Sequence, residues 1–292
     1  MFDSYGREIA YLRVSVTDRC NLRCVYCMPP EGVEPLRHEE ILTFEEIAMV
    51  VGVAVGLGFR KVRLTGGEPL ARKGIASLVR LLRPIRGLET LAMTTNGTLL
   101  APLAAELARA GLDSVNISLD TLDPPRYARL TRGGRVEDAL AGIKAARAAG
   151  LPVKLNVVVL DGDEASGGAG ERDGDEGPGG GRRVGRHLSG PGGLDDIRAF
   201  AAEIGARVQT IARYRLDEEK RERGEAFDRP PRCGDCDRLR LLANGTLRPC
   251  LHGSAGVPVD FADIEGSIRR AVGLKPARGL ACADLAVGQI GG

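Results

Sequence analysis

Three cysteines near the N-terminus, Cys20, Cys24 and Cys27, follow the spacing C-x3-C-x2-C in "CNLRCVYC". Structural zinc sites and common iron–sulfur clusters take four protein ligands. This group stops at three, with Pro29 and Pro30 directly after it. Three thiolates can hold three corners of a four-iron cubane and leave the fourth iron an open position, as a catalytic zinc site keeps one open. An open iron can bind and reduce a ligand. No histidine precedes His38, so a structural zinc site would lack its fourth donor here. A second group, Cys233, Cys236 and Cys250, is spaced C-x2-C-x13-C and again has three members. There His252 stands close enough in sequence to serve as a fourth ligand, so a cluster and a zinc site are both open readings. The seventh cysteine, Cys282, stands alone and reads as a buried free thiol. An odd cysteine count in a chain of 292 residues argues for metal or catalysis over a disulfide framework.

Such groups need a scaffold, and the chain offers an alternating one. Strand-like segments at 11–16, 61–65, 91–95, 114–120, 152–160 and 206–214 are interleaved with helical patterns at about 43–56, 74–83, 100–110, 135–149 and 194–204. Thr43 followed by Glu46 forms a capping box at the start of the first helix. Alternation of this kind predicts an α/β fold of parallel strands with crossover helices. Side chains alternate faces along a strand. Arg13 and Ser15 therefore oppose Leu12, Val14 and Val16. Lys61, Arg63 and Thr65 oppose Val62 and Leu64; Asn116, Ser118 and Asp120 oppose Val115, Ile117 and Leu119; Lys154 and Asn156 oppose Val153, Leu155 and Val157. A closed barrel would fill its interior with branched apolar side chains, and a sheet covered on both faces would read as continuous apolar runs. The pattern predicts a partial (β/α)6 barrel of TIM-like form, apolar toward its helices and wet and cationic inside. Several unpaired cations on one buried face call for an anionic ligand.

Residues 1–214 are assigned to this barrel and 215–292 to a small C-terminal region that carries the second cysteine group, a helix at about 260–272 and the tail. The glycine-rich stretch 161–193 cannot bury enough apolar surface to order itself and reads as a disordered insertion. Aromatic residues make up 4% with no Trp, and the net charge is +2, which excludes an aromatic base-stacking platform and a general nucleic-acid or membrane surface. With no signal-peptide pattern and no spanning apolar run, the expected location is the cytoplasm.

The first triad directly follows the first strand, and "TGGEP" (65–69) follows the second. Together they resemble the radical S-adenosylmethionine (SAM) superfamily. That resemblance implies a [4Fe–4S] cluster on Cys20, Cys24 and Cys27, with SAM on the open iron. It also implies SAM contacts from Tyr26, Gly66, Gly67 and Ser118, and acceptance of the methionine ammonium by Glu68. Gly66 and Gly67 are expected to let the backbone approach the ligand.

The second triad, with "SVTDRCNLRCVYCMPP", "RLTGGEPLARK", "TTNGTLL", "NISLDTLDP" and the terminal "GG", resembles the GTP 3′,8-cyclases of molybdenum cofactor biosynthesis. This resemblance implies two [4Fe–4S] clusters at the two ends of the barrel. By the same likeness GTP is held by Arg13, Arg63, Thr94 and Lys154, with added charge from Lys61, and by Arg238 and Arg240 from the cluster side. The tail Gly291–Gly292 is expected in the active site. The implied lyase reaction begins with removal of the ribose 3′ hydrogen by a 5′-deoxyadenosyl radical. C3′ then attacks C8, giving 3′,8-cyclo-7,8-dihydroGTP. Implied partners are an external electron donor such as flavodoxin, a second copy of the chain, and the next enzyme of the pathway, cyclic pyranopterin monophosphate synthase. One departure is clear: Gln209 stands where the family's "RFIE" motif begins with arginine, and the segment after it is much shorter. A two-cluster radical SAM enzyme acting on another nucleotide or a peptide therefore stays open, as does a non-enzymatic iron–sulfur or zinc protein.

Overall fold

The computed structural model describes residues 1–159, 191–212 and 232–282. The glycine-rich stretch as far as residue 190, the charged segment before the second triad and the C-terminal tail lie outside the described residues, and so do the expectations placed on them.

Six strands alternate with helices: β1 (Tyr11–Ser15), α1 (Phe44–Gly56), β2 (Lys61–Thr65), α2 (Ile75–Leu82), β3 (Thr90–Thr95), α3 (Ala104–Ala110), β4 (Ser114–Ser118), α4 (Pro124–Thr131), α5 (Val136–Ala148), β5 (Val153–Val159), α6 (Leu194–Glu203) and β6 (Arg207–Ala212). The C-terminal part adds β7 (Arg238–Leu241), β8 (Thr246–Arg248), β9 (Val257–Pro258) and α7 (Ile264–Gly273). The sheet order is β6-β5-β4-β3-β2-β1-β7-β8-β9. Strands β1 to β6 pair in parallel with their sequence neighbours. One cavity is lined from every strand between β1 and β7, so the sheet curls around it. The order leaves β6 and β9 as its two edges, so the barrel is open, as the strand patterns predict.

Local chemistry explains the helix starts. Thr43 Oγ1 accepts from Glu46 N at 3.1 Å, and Glu46 Oε2 accepts from Thr43 N at 2.7 Å, closing the expected capping box. Helix α4, absent from the sequence reading, opens with Asp123 accepting from Arg126 N at 2.8 Å and with prolines in its first turn. Its apolar content is too sparse to show a helical stripe. The face of the sheet turned toward the helices carries Leu12, Val14, Val62, Leu64, Leu91, Met93, Val115, Ile117, Leu155 and Val157, all buried in one core with Ile47, Val50, Leu78, Leu82, Leu107 and Ile143. Each such side chain contributes roughly 1.5–3 kcal/mol by leaving water.

The C-terminal region shares the same sheet. Strand β7 pairs in parallel with β1, with Tyr11 beside Arg238 and Arg13 beside Arg240. Strands β8 and β9 then continue antiparallel.

Helix α5 meets the turn after β3 closely. A Cβ on Gly142 would collide with Gly97 O and lie 3.1 Å from Leu100 Cβ. Gly97 itself has φ +80 and faces Ile117 Cγ2, so the turn cannot retreat. Gly142→Ala is expected to destabilise the protein by about 1–3 kcal/mol in chemical denaturation. Gly52→Ala, in α1 with nothing within 4 Å of the added Cβ, should instead stabilise by about 0.5–1 kcal/mol.

Candidate active site

Strand β1 ends at the loop that carries the first triad. Cys20, Cys24 and Cys27 line one cavity together with Leu22 and Tyr26. The loop winds tightly: Cys27 N donates to Cys24 O at 2.9 Å, and Leu22 N donates to Cys20 Sγ at 3.4 Å. From the end of β3, Asn96 Nδ2 reaches Cys20 Sγ at 4.0 Å. Burial pushes all three thiols up, Cys27 to about 12, and for Cys24 the charges of Cys27, Asp120 and Cys20 add to the effect. Thiols in such a place ionise only against a bound cation. Among the described residues no three His, Cys, Asp or Glu side chains gather closely enough to hold a single metal ion. Three soft donors around one open cavity suit a larger centre that takes each thiolate on a separate iron.

The glycine turn sits against this loop. Gly67 N donates to Thr17 O at 2.9 Å and Glu68 N to Arg19 O at 2.8 Å. A Cβ on Gly66 would lie 2.5 Å from Thr17 O, and one on Gly67 would strike Arg19 O. Both glycines line the cavity, and an added Cβ at either would meet the loop backbone. Glu68 stands behind the wall, not on it. Its carboxylate accepts from Leu70 N at 3.0 Å, Thr95 Oγ1 at 2.7 Å and Asn96 N at 2.7 Å. Burial outweighs these donors and lifts its pKa to about 7. Those three partners hold the carboxylate that the sequence reading offered to the SAM ammonium, and they fix the Asn96 turn beside Cys20. Ser118 and Tyr26 do line the cavity. Tyr26 Oη donates to Asp120 Oδ2 at 2.6 Å, and Asp120 Oδ1 accepts from Val158 N at 2.8 Å. Burial raises Asp120 to about 6.

Cations line the next stretch of wall. Arg13, Arg63, Lys154 and Arg238 face the same cavity as the triad, with Tyr11, Thr94, Asn116 and Asn156. In register, Arg240, Arg13 and Arg63 stand side by side across β7, β1 and β2, where neighbouring strands are about 4.8 Å apart. Burial pulls the Arg13 pKa down, Tyr11 opposes that, and Arg240, Arg238 and Arg63 add to it. Arg63 Nε donates to Tyr11 Oη at 2.5 Å. Burial alone would raise the Tyr11 phenol, but the field of Arg13, Arg63 and Arg238 wins and brings it to about 8. Arg238 also lies over the Tyr11 ring, 5.6 Å from its centroid. Asn156 Oδ1 is buried without a hydrogen-bond partner, an acceptor left for a ligand's donor. Two of the residues assigned to GTP are not on this wall. Lys61 is exposed at the outer end of β2, and Arg240 is buried beside Arg13 without lining the cavity. Gln209 lines the cavity opposite Asn156, so the position of the family's arginine is occupied by an uncharged amide.

The second triad gathers around the β7–β8 hairpin: Cys233 and Cys236 precede β7, and Cys250 follows β8. None of these three cysteines lines the cavity, but Arg238, two residues beyond Cys236, does. Burial pushes Cys250 up, whereas for Cys236 the charges of Lys275, Arg238 and Arg240 and a backbone donor outweigh burial and bring it down. The second triad thus lies at the start of β7 and the first at the end of β1. Because the two strands are parallel and adjacent, the triads occupy opposite ends of the sheet, about 16 Å of strand apart at ~3.3 Å per residue, with the cationic wall between them. Tyr11, Asn96, Asp120 and Asn156 had no assigned role in the sequence reading. Strand alternation already put Tyr11 on the face of Arg13, and Asp120 and Asn156 on the polar face.

Comparison with known proteins shows what the chain is similar to. The Radical SAM superfamily profile matches residues 14–166. A GTP 3′,8-cyclase of Heliobacterium modesticaldum is 44% identical over 284 residues, covering 86% of this chain and 84% of the relative. A GTP 3′,8-cyclase of Pelotomaculum thermopropionicum is 42% identical over 319 residues, covering 95% and 94%. Among solved structures, Streptococcus suis SuiB bound to S-adenosylmethionine superimposes with a TM-score of 0.63 at 14% identity, over 92% of this chain and 65% of SuiB, a likeness of fold alone. The chain belongs to the radical SAM superfamily and, within it, to the GTP 3′,8-cyclase family.

Proposed function

We propose that the wall formed by Arg13, Arg63, Thr94, Lys154 and Arg238 holds GTP between two [4Fe–4S] centres, one on Cys20, Cys24 and Cys27 and one on Cys233, Cys236 and Cys250. The activity is that of the family: a SAM-dependent radical lyase that cyclises GTP in molybdenum cofactor biosynthesis. The observation that carries the residue assignment is that four cationic side chains converge on the cavity that also contains the first triad. A triphosphate is the ligand class that matches such a charge, and arginine forks bind phosphate oxygens in pairs.

When bound, the first cluster and SAM supply a 5′-deoxyadenosyl radical for hydrogen abstraction from the ribose. The chain's own residues set the geometry. Cys20, Cys24 and Cys27 would hold the cluster through three thiolates and would leave one position open for SAM. Tyr26 stands within the triad loop and is held by its hydrogen bond to Asp120. The Gly66–Gly67 turn closes one side of the cavity. The cationic wall fixes the triphosphate at a set depth, which orients the ribose toward the first triad and the base toward the second. Asn156 Oδ1 accepts from a ligand N–H or O–H. Arg238 links the two halves, since it lines the cavity and begins the strand that leaves the second triad. Gln209 contributes a neutral amide where the family has a further cation.

The electrons come from an external one-electron donor such as flavodoxin, and the product is handed to cyclic pyranopterin monophosphate synthase; a homodimer is the assembly we assign. Among the described residues no helix is long and apolar enough to cross a membrane. Seven cysteines outside any disulfide suit a reducing compartment, and we place the protein in the cytoplasm.

Anaerobically reconstituted protein given GTP, SAM and dithionite should form 5′-deoxyadenosine and a cyclised nucleotide; SAM cleavage without GTP binding or nucleotide product would overturn the substrate assignment. Cys24→Ala should abolish both products and halve the bound iron. Lys154→Met should weaken GTP roughly 10–100-fold in equilibrium binding, the scale of one lost charged hydrogen bond of about 1.5–3 kcal/mol, while leaving iron content unchanged. GTP affinity should fall as pH rises through about 8, where the Tyr11 phenol ionises between Arg13, Arg63 and Arg238 and cancels part of their charge. Tyr11→Phe should remove that step from a pH series of dissociation constants.

A further inference from the structure

The residues that follow α7 pack onto the second triad. Lys275 is 3% exposed. Its Nζ donates to Arg238 O at 2.7 Å, to Pro249 O at 2.8 Å and to Cys236 Sγ at 3.7 Å. An ammonium has three donors, and all three are spent here. Pro249 immediately precedes Cys250, and Arg238 lies two residues past Cys236. One side chain therefore ties together the backbone segments of two cysteines from opposite ends of a hairpin and touches the sulfur of one. Four residues on, Gly279 N donates to Cys233 Sγ at 3.4 Å. The N-terminus closes the arrangement from the other side. Arg7 Nη1 donates to Cys233 O at 2.8 Å and its Nη2 to Pro276 O at 2.7 Å, while its Nε pairs with the buried Asp3 at 2.6 Å.

We propose that Lys275 is a positioning residue for the C-terminal iron–sulfur centre: its ammonium holds the segments of Cys236 and Cys250 in register and, set against the Cys236 sulfur, favours the reduced state of the cluster bound there. This rests on the assignment of a cluster to the second triad. Reduction adds a negative charge to a cluster, and a fixed positive charge in a site of low dielectric stabilises that charge. Hydrogen bonds to cluster sulfurs act in the same direction, as outer contacts do at metal sites generally. Two sulfur contacts from one segment, Lys275 to Cys236 and Gly279 to Cys233, make residues 275–279 the electrostatic cover of the centre.

The test uses the full chain, reconstituted anaerobically, with Cys20, Cys24 and Cys27 changed to Ala so that only the C-terminal cluster contributes. Iron per chain and the reduced fraction at a series of fixed potentials, read by electron paramagnetic resonance, are compared for this protein and its Lys275→Met and Lys275→Arg forms. At a fixed potential the ratio of reduced to oxidised cluster should fall at least tenfold in Lys275→Met, a midpoint drop of about 59 mV for one electron. Lys275→Arg should recover most of that loss. A Lys275→Met protein with full iron and an unchanged reduced fraction overturns the proposal. Should Lys275→Met fail to fold or to load, the unmutated Lys275 protein grown with 15N-lysine decides. A 15N coupling to the reduced C-terminal cluster supports the contact, and its absence overturns it. The underlying assignment is checked separately: a chain lacking Cys233, Cys236 and Cys250 that retains wild-type iron sinks the second cluster itself, and the role of Lys275 with it.

Discussion

Parallel pairing of β1 with β7 sets the distance and direction between everything that matters in this molecule. The register that places Tyr11 beside Arg238 and Arg13 beside Arg240 brings a strand from the far end of the chain against the one that opens the barrel. One triad follows the C-terminal end of that pair and the other precedes its N-terminal end. The arginines between them are held at strand spacing, with their backbones committed to the ladder. Like charges packed this closely repel, and the structure meets the cost in two ways. Arg63 and Arg238 share the Tyr11 ring and hydroxyl, and the remaining positive potential is directed into a cavity where an anion can enter.

Buried carboxylates do a second kind of work around the first triad. Glu68 and Asp120 are both nearly inaccessible to solvent, and among the described residues neither hydrogen-bonds a guanidinium or an ammonium. Each is satisfied by neutral donors from separate strands or turns, which is why burial raises both pKa values. A buried carboxylate with uncharged partners is expensive, and it persists where several elements must meet in one arrangement. Glu68 binds the β2 turn to the end of β3. Asp120 binds the cysteine loop to β5 through Tyr26 and Val158.

Much of the site was readable from sequence because it is local. The triad spacing, the glycine turn and the capping box are short-range patterns, and strand alternation named the polar face of β1, β2, β4 and β5 correctly. Alternation gives a face but not a depth, so Lys61 was grouped with Arg63 although it sits at the outer end of its strand. It also cannot name partners across the chain. Strand β7 reads "RLRL", too short and too charged to announce a central strand, and β9 has only two residues. Glu68 was expected to face the ligand by resemblance to the radical SAM superfamily, through the motif TGGEP. The three donors that turn it inward come from Leu70, Thr95 and Asn96, two of them on another strand's end.

The β1–β7 ladder has a consequence for how the chain is made. Strand β1 leaves the ribosome before its partner, which is encoded more than two hundred residues later. At synthesis rates of about 5–20 residues per second, one edge of the nascent barrel stays bare for roughly 10–45 s. Exposed edges invite pairing with other chains, and charged side chains along an edge discourage it. Arg13 is in place throughout that interval, and Arg63 joins it on the neighbouring strand. The same cations that line the finished cavity are therefore positioned to guard an unfinished sheet against its neighbours on the polysome.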